Sequence, residues 1–319
     1  MKAIQKSLAA AFLFFLAQVS VNAQQKVSPA ATGDNVQPVL LTVTVTNGRG
    51  EFVTGLKQDN FKVLVDKAPA KIVSFSDLDA PVSIGILLDA SGSIGNPRNY
   101  RSSKILNEAL ARFLELSNRS NDYFVIGFND QSYLLVDWTY DTRSVMAKLT
   151  ALEPHGNTAF YDACYLGLER VTRGQYTKRA IILISDGQDN VSRHAFKHLR
   201  DLTKESKVII YSINVLNSGN AGSALASEGQ GILNELSSIS GGLTFYQAAA
   251  SVKAADVKAF FEVIANELRH QYVIGITPAD SSGPRKWHKI RINVSPEGNA
   301  AREMKGLSVR TREGYYTAK

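Results

Sequence analysis

The chain has 319 residues, 44% of them hydrophobic and 20% charged, with a formal net charge of +7. This composition is that of an ordinary globular protein rather than a disordered one, and it allows one large or two modest domains. Its single cysteine, Cys164, excludes an internal disulfide framework and a cysteine zinc cluster. The lysines and arginines are scattered, so the positive charge does not indicate a nucleic-acid partner.

The first segment, residues 1–23, has the pattern of a secretion signal. Lys2 and Lys6 precede an apolar run, and small residues end the segment at Ala23. A retained anchor is the alternative, but the run is shorter than the about 20 apolar residues that a membrane span needs. We therefore expect a cleaved signal, a flexible linker over 24–37 and an exported protein, periplasmic or secreted, without a transmembrane segment after cleavage.

The segment 38–80 predicts β structure. β-Branched residues alternate over 39–46, and two further short strand patterns occupy 61–65 and 71–75. No helical periodicity occurs before Pro81, so we expect an all-β segment of three or four strands.

The segment 81–277 predicts an α/β domain. Short apolar runs, typical of strands buried on both faces, alternate with helical patterns. The strand patterns lie at 83–88, 123–128, 179–185 and 208–215, and the helical patterns lie at 101–116, 142–152, 158–171 and 195–205. The alternation predicts a doubly wound, mostly parallel sheet with helices on both faces, and 134–138 fits an antiparallel edge strand.

The end of this domain and the tail complete the predicted fold. We expect a Gly-, Ala- and Ser-rich loop at 219–231, a short helix, a strand at 243–246, a long helix at 251–270 and a strand at 272–276. The tail, 278–319, returns to β patterns at 288–294, 307–311 and 315–317. Since neither β flank is large enough to bury a face alone, we expect both to pack as one small all-β module, with the α/β domain inserted between them.

Candidate metal ligands occur in three loops that follow strands or precede a helix. Asp89, Ser91 and Ser93 start where the first buried strand ends, at the sheet edge that carries ligands in doubly wound folds. Thr158 precedes a helical pattern, and Asp186 ends another buried strand. Carboxylates with neutral hydroxyls suit a hard cation such as Mg²⁺, which takes oxygen ligands and retains water.

These motifs resemble the metal-ion-dependent adhesion site of von Willebrand factor type A domains and integrin inserted domains, over about residues 82–270. The resemblance implies that Ser91 and Ser93 bind the metal directly, that Asp89 and Asp186 act directly or through water, and that Thr158 joins in one of two states. It implies Mg²⁺, with Mn²⁺ or Ca²⁺ as alternatives, and a protein partner whose Asp or Glu carboxylate takes an open metal position. Family members can couple that step to movement of the last helix, here 251–270; the sequence leaves open whether this chain switches.

The flanks resemble a narrower group, secreted type A-related proteins of acidobacteria. The resemblance rests on residues 54–56 and 60–63 before the domain, and on 271–272, 287–290 and 314–316 after it. It implies a bacterial protein in which the β flanks are a regular part of the folded structure, but it implies no defined activity.

Several of these residues also have simpler interpretations. Asp89 is alternatively a helix cap, with Ser91 and Ser93 as turn residues. Asp189 is better explained as a loop carboxylate or a cap than as a ligand. His194 and His198 have zinc-compatible spacing but no third ligand, so we expect surface histidines.

Three functions follow from this pattern. The favoured hypothesis is a non-enzymatic module that binds a protein partner through the cation. The first rival is a structural envelope component that does not use a metal. The second is a Mg²⁺-dependent hydrolase or phosphatase, but the second acid of an aspartyl phosphatase is replaced by Ser91.

Overall fold

The computed structural model describes residues 37–92, 100–214, 223–246, 254–279, 284–295 and 306–317. The predicted signal, nearly all of the predicted linker and Ser93 lie outside the described residues. Within the described ranges, none of the helices has the length and apolar character to cross a bilayer.

Strands and helices alternate through the middle of the chain and strands dominate both flanks. The strands of the described residues are β1 (Val39–Thr46), β2 (Phe61–Val65), β3 (Ala68–Pro69), β4 (Ile72–Ser76), β5 (Ser83–Asp89), β6 (Asp122–Phe128), β7 (Ser132–Thr139), β8 (Arg179–Ser185), β9 (Ile209–Asn214), β10 (Thr244–Tyr246), β11 (Tyr272–Ile276), β12 (Trp287–Val294), β13 (Ser308–Arg310) and β14 (Gly314–Tyr316). The α-helices are α1 (Tyr100–Leu116), α2 (Thr142–Thr150), α3 (Phe160–Val171), α4 (Phe196–Glu205), α5 (Ala224–Ser240) and α6 (Ala254–Arg269).

The central sheet has six strands in the order β10-β9-β8-β5-β6-β7. All neighbours are parallel except β7, which pairs antiparallel with β6 at one edge. Every residue of β5, β6 and β9 is buried, as their continuous apolar runs predict. Helices α1, α2 and α6 cover one face and α3, α4 and α5 cover the other. The predicted doubly wound, mostly parallel α/β fold is confirmed.

The two flanks form two further sheets, in the orders β13-β1-β11-β4 and β14-β12-β2-β3. Each sheet contains strands from both ends of the chain, and the sheets share one apolar core that includes Leu41, Phe61, Ile274 and Tyr315. The predicted all-β module built from the N- and C-terminal flanks is confirmed. We call these two sheets the β module.

Strand β11 joins the β module rather than the central sheet, because it pairs antiparallel with both β1 and β4. The segment 81–277 therefore includes a strand whose hydrogen bonds lie in the β module. Its apolar sequence, which fits a strand covered on both faces, does not reveal which sheet it enters.

The predicted loop at 219–231 is wrong over most of its length, because α5 starts at Ala224. The Ser223 side chain caps the helix by accepting a hydrogen bond from Ala226 N at 3.1 Å. Glycine lowers helix propensity by about 1 kcal/mol relative to alanine, which makes this segment look like a loop. Burial of Ile232, Leu233 and Leu236 against the sheet supports the helix instead.

Candidate metal centre

Two buried carboxylates lie at one edge of the central sheet. Asp89 is the last residue of β5, and Asp186 directly follows β8. These strands are parallel neighbours, with Leu88 opposite Ile184, so both acids emerge at the carboxyl edge. Their side chains are almost fully buried, at 2% and 3% exposure. The edge that the sequence indicates therefore brings the two predicted acids together.

The Asp89 carboxylate is held by neutral donors. Ser91 N donates to its Oδ1 at 2.9 Å, and Ser185 Oγ donates to its Oδ2 at 2.7 Å. Burial raises the pKa of Asp89 to about 6 and nearby Asp186 adds to the rise, whereas the bonds from Ser185 and Ser91 oppose it. No cationic side chain of the described residues is among the causes of the shift. A positive charge at this point would stabilise the ionised carboxylate.

The loop after β5 is tied to the loop before α3. Gly92 N donates to the Gly156 carbonyl at 3.0 Å, and His155 N donates to the Ala90 carbonyl at 2.9 Å. Gly156 has a φ of +76°, and a Cβ there would lie 2.0 Å from Asp130 Oδ2, so only glycine fits. These bonds bring the loop of Ser91 beside the loop of Thr158.

Thr158 is 5% exposed and lies between two other loops. Thr158 N donates to Asn190 Oδ1 at 2.9 Å, and Asn190 N donates back to the Thr158 carbonyl at 3.1 Å. On the other side, Asp130 Oδ1 accepts from Asn157 N and Asn157 Nδ2, at 3.0 and 2.8 Å. The backbone of the Thr158 loop is thus fixed from two directions.

The turn after β8 is fixed by its own side chains and by α5. Asp186 Oδ1 accepts from Gln188 N at 3.0 Å, and Oδ2 accepts from Gln188 Nε2 at 3.3 Å. Gly187 has a φ of +78°, and a Cβ there would lie 2.4 Å from the Gly229 carbonyl oxygen of α5. Helix α5 therefore contacts the backbone of the turn that presents Asp186.

Four of the five predicted ligands, Asp89, Ser91, Thr158 and Asp186, lie in this set of connected loops, and the fifth, Ser93, falls outside the described residues. Their roles as ligands stay a prediction. Sequence reasoning missed Ser185 and Asn190, whose side chains hold Asp89 and the Thr158 loop. The sequence could have indicated Ser185, since it is the last residue of the strand that lies beside β5. Nothing in the sequence indicated Asn190, whose partner lies 32 residues earlier in the chain.

The donor set fits a hard cation better than a soft one. Within the described ranges, no cluster of three His, Cys, Asp or Glu side chains is arranged to hold a metal ion. A cation at this edge would therefore rely on hydroxyl oxygens besides the two carboxylates, which suits Mg²⁺ and its retained water. The buried Asp89 beside Asp186 is the observation that such an ion would explain, since buried like charges otherwise oppose each other.

The remaining candidate residues have structural contacts. Asp189 Oδ1 accepts from Tyr161 N at 3.1 Å, in the first turn of α3, as a cap would. His194 Nδ1 is 2.6 Å from Asp162 Oδ1 and its ring stacks on Tyr165, while His198 is exposed on α4. Burial raises the pKa of the Cys164 thiol, which makes it a poor nucleophile.

The part of the chain that carries this edge matches a known family. Residues 84–188 match the family model of the von Willebrand factor type A domain, which is one third of the chain. The match starts at the second residue of β5, runs past the end of β8, and contains Asp89, Ser91, Thr158 and Asp186. No curated protein matches the chain.

Several solved structures are similar at low sequence identity. The PilB minor pilin from Streptococcus sanguinis is 14% identical, with a TM-score of 0.47, over 61% of this chain and 62% of the pilin. The vWF domain of the type V pili tip protein Mfa5 from Porphyromonas gingivalis is 14% identical, with a TM-score of 0.46, over 59% of this chain and 95% of that domain. A von Willebrand factor type A protein from Catenulispora acidiphila is 12% identical, with a TM-score of 0.44, over 87% of this chain and 73% of that one.

Proposed function

We propose that this chain, with its von Willebrand factor type A segment, is an exported, non-enzymatic protein-binding module that uses one divalent cation. Asp89, Ser91, Ser93, Thr158 and Asp186 would hold the ion, with Mg²⁺ as the first candidate and Mn²⁺ or Ca²⁺ as alternatives. The burial of Asp89 beside Asp186 without a cationic neighbour among the described residues is the observation that supports this most directly. When bound, the cation would supply an open coordination position for an Asp or Glu carboxylate of a protein partner.

The protein's own residues prepare this site in two ways. Hydrogen bonds from Ser185 and from the Ser91 amide fix the orientation of Asp89. Bonds between Gly92 and Gly156 and between Thr158 and Asn190 fix the loops. A preorganised set of this kind loses little conformational entropy when a ligand binds. Because Ser91, Ser93 and Thr158 would donate only neutral hydroxyl oxygens, the ion would remain electrophilic enough to bind the partner's carboxylate.

The rival functions make different demands on the same edge. A phosphatase with an aspartyl intermediate would place a second acid where Ser91 stands, and the Cys164 thiol is buried rather than available as a nucleophile. A purely structural envelope component would bind its partner equally well without metal. Comparison of partner binding by the wild type and Asp89→Ala, with and without chelator, separates this rival from the proposal.

The direct test is calorimetric titration of the metal-stripped mature protein with Mg²⁺ and with Mn²⁺. We expect saturable binding that disappears in the Asp89→Ala, Ser91→Ala double variant. Asp189→Asn is the matched control, since Asp189 lies near the same edge but caps α3, and its titration curve should equal that of the wild type. Equal curves for the wild type and the double variant would contradict the proposal.

Export has its own test, independent of the metal. Expression of the full chain in a bacterium followed by mass spectrometry of the exported protein should give a mature N-terminus at Gln24. Retention of Met1–Ala23 on the mature protein would contradict the cleaved signal.

A further inference from the structure

A second surface, far along the chain from the predicted ligands, has the properties of a binding site. A groove of about 610 Å³ lies between α5 with β10 on one side and β12 with the segment from β13 to β14 on the other. We call it the C-terminal groove. Its walls include Ser237, Thr244, Arg291, Ile292 and Val309. It borders the start of β10, whereas the predicted ligands lie at the opposite, carboxyl ends of the parallel strands.

The C-terminal groove is lined by an excess of positive charge. Lys289, Arg291, Arg310 and Arg312 line it, against the single acid Glu313. Arg310 is neutralised by an ion pair with buried Glu267. Among the described residues, no acid lies within ion-pair distance of the other three cations. Lys289 and Arg291 are exposed on β12, so their charges are available to a ligand.

Arg312 adds a cation that is partly withdrawn from water. Its Nε donates to the Gly314 carbonyl at 2.6 Å and an Nη donates to the Lys204 carbonyl at 3.0 Å. These neutral acceptors hold the guanidinium in place without cancelling its charge, and burial lowers the pKa of Arg312 to about 10. An anionic group nearby would therefore be favoured. The neighbouring Thr311 Oγ1 is buried and makes no hydrogen bond in the described structure.

Two strand edges border the groove, and in the described part of the chain their outward backbone groups have no strand partner. On β12, Ile290 N donates a hydrogen bond to the Glu313 carbonyl, on the side that faces β14. Backbone groups of alternate strand residues point to the same side, so those of Ile292 also point there, beyond the last residue that pairs with β14. On β1, the Val45 carbonyl accepts a hydrogen bond from Val53 N, on the side away from β13. The neighbouring β1 residues therefore face β13, where they pair with Ser308 and Arg310. The backbone of Val309, which lies between these two, consequently points away from β1. Open strand edges of this kind accept added strands.

We propose that the C-terminal groove binds an extended acidic segment of a protein partner, which adds a strand to the edge of β13 and sets its carboxylates against Lys289, Arg291 and Arg312. The backbone edge would supply affinity for any extended chain, and the cations would select acidic side chains. This surface is separate from the predicted metal ligands, so binding here would not need the cation. The proposal adds a second contact to the module and does not depend on the first.

The test uses the mature chain and a fluorescein-labelled peptide of alternating valine and glutamate, with fluorescence anisotropy in the presence of chelator. We expect saturable binding, and little binding of the counterpart with lysine in place of glutamate. A third peptide keeps the glutamates but carries N-methyl groups on alternate amides, which blocks strand pairing while leaving the charge. We expect this peptide to bind at least about tenfold more weakly.

The protein variants test the charges. The double variant Lys289→Glu, Arg291→Glu should raise the Kd for the acidic peptide by about tenfold or more, since reversed charges repel the ligand. The matched control, Arg143→Glu with Lys148→Glu, changes the net charge equally on exposed positions of α2, which packs against β7 at the other edge of the central sheet. It should bind as the wild type does. Circular dichroism of each variant checks that it is folded.

Four results would overturn the proposal: no saturable binding, equal binding of the lysine peptide, equal binding of the N-methylated peptide, or equal weakening by both double variants. Sedimentation of the chain alone provides a fifth. A dimer that the Lys289→Glu, Arg291→Glu variant dissociates would mean that a second copy of this chain occupies the groove. Because chelator is present throughout, and Asp89→Ala should bind the peptide normally, failure of the metal proposal would leave this result unaffected.

Discussion

Two buried carboxylates in this protein have opposite surroundings. Glu267 of α6 is 1% exposed, and Asp89 is 2% exposed. Glu267 Oε1 accepts hydrogen bonds from Thr44 Oγ1 at 2.9 Å and Tyr211 OH at 2.8 Å, and it forms an ion pair with Arg310. Among the described residues, Asp89 receives hydroxyl and amide donors and has a second acid, Asp186, nearby.

The difference separates a structural acid from a candidate ligand. A buried acid that meets a guanidinium within the fold has its charge balanced. The partners of Glu267 come from β1, β9 and β13, so this balanced acid joins the central sheet to the β module. A buried acid without a cation is the arrangement expected where a ligand completes the charge balance.

The largest loss of stability should come from removing the cation that pairs with Glu267. Arg310→Ala leaves the carboxylate buried without its ion-pair partner, and breaking a buried pair in this way costs about 3–5 kcal/mol of unfolding free energy. Urea unfolding, followed by circular dichroism, measures the loss. Arg112→Ala is the control, because Arg112 pairs with Glu115 and Glu262 at the surface and such pairs contribute at most about 1 kcal/mol. Similar losses of unfolding free energy in both variants would show that Glu267 does not hold the central sheet and the β module together.

At Asp89, we expect a bound cation rather than a side chain of the protein to balance the charge of the carboxylate. If the edge binds Mg²⁺, a concentration about 100 times the Kd should raise the unfolding free energy by about 2.7 kcal/mol. Thermal unfolding of metal-stripped protein with added Mg²⁺ should show this rise in the wild type and in Asp189→Asn but not in Asp89→Ala. A rise that persists in Asp89→Ala would place the binding elsewhere.

The third prediction concerns a buried cation beside Glu267. The Lys178 amine donates to the Leu268 carbonyl, and burial lowers its pKa from 10.5 to about 8, although Asp79 and Glu267 oppose the shift. Between these values the unfolded chain binds more protons, so stability rises with pH and is lost as pH falls through the folded-state pKa. From about pH 7.5 to about pH 9.5 the gain should be about 2 kcal/mol.

Lys178→Met isolates this contribution, since methionine fills similar space without titrating. The difference in unfolding free energy between wild type and variant should vary with pH over the same window. Parallel pH profiles for the two proteins would rule out the shifted amine as the cause.

The layers of the fold and the edge of the site follow from sequence, because continuous apolar runs report strands buried on both faces and the acids stand at the ends of those runs. What joins the regions does not follow. Nothing in the sequence near Glu267 points to Arg310, which is 43 residues away. The sequence also does not indicate which sheet β11 joins, since its partners β1 and β4 precede it by about two hundred residues. Pairings at such separations depend on tertiary packing rather than on local pattern.

The glycines of α5 give the smallest and most discriminating prediction. Gly229 lies against the turn after β8: a Cβ there would be 2.4 Å from the Asp186 carbonyl oxygen, so the turn or the helix would have to move. Gly231, two residues later in the same helix, has no atom within 4 Å of an added Cβ. Alanine in a helix interior is favoured over glycine by about 1 kcal/mol, so Gly231→Ala should stabilise the protein by up to that amount.

Gly229→Ala should instead lose about 1 kcal/mol or more in unfolding free energy, because the steric conflict with backbone exceeds the gain in propensity. It should also weaken Mg²⁺ binding in the calorimetric titration, since the turn that displaces to admit the methyl group is the one that presents Asp186. Gly231→Ala should leave the titration unchanged. Equal stabilisation by both substitutions would mean that α5 does not support the turn, and the position of Asp186 would then depend on β8 alone.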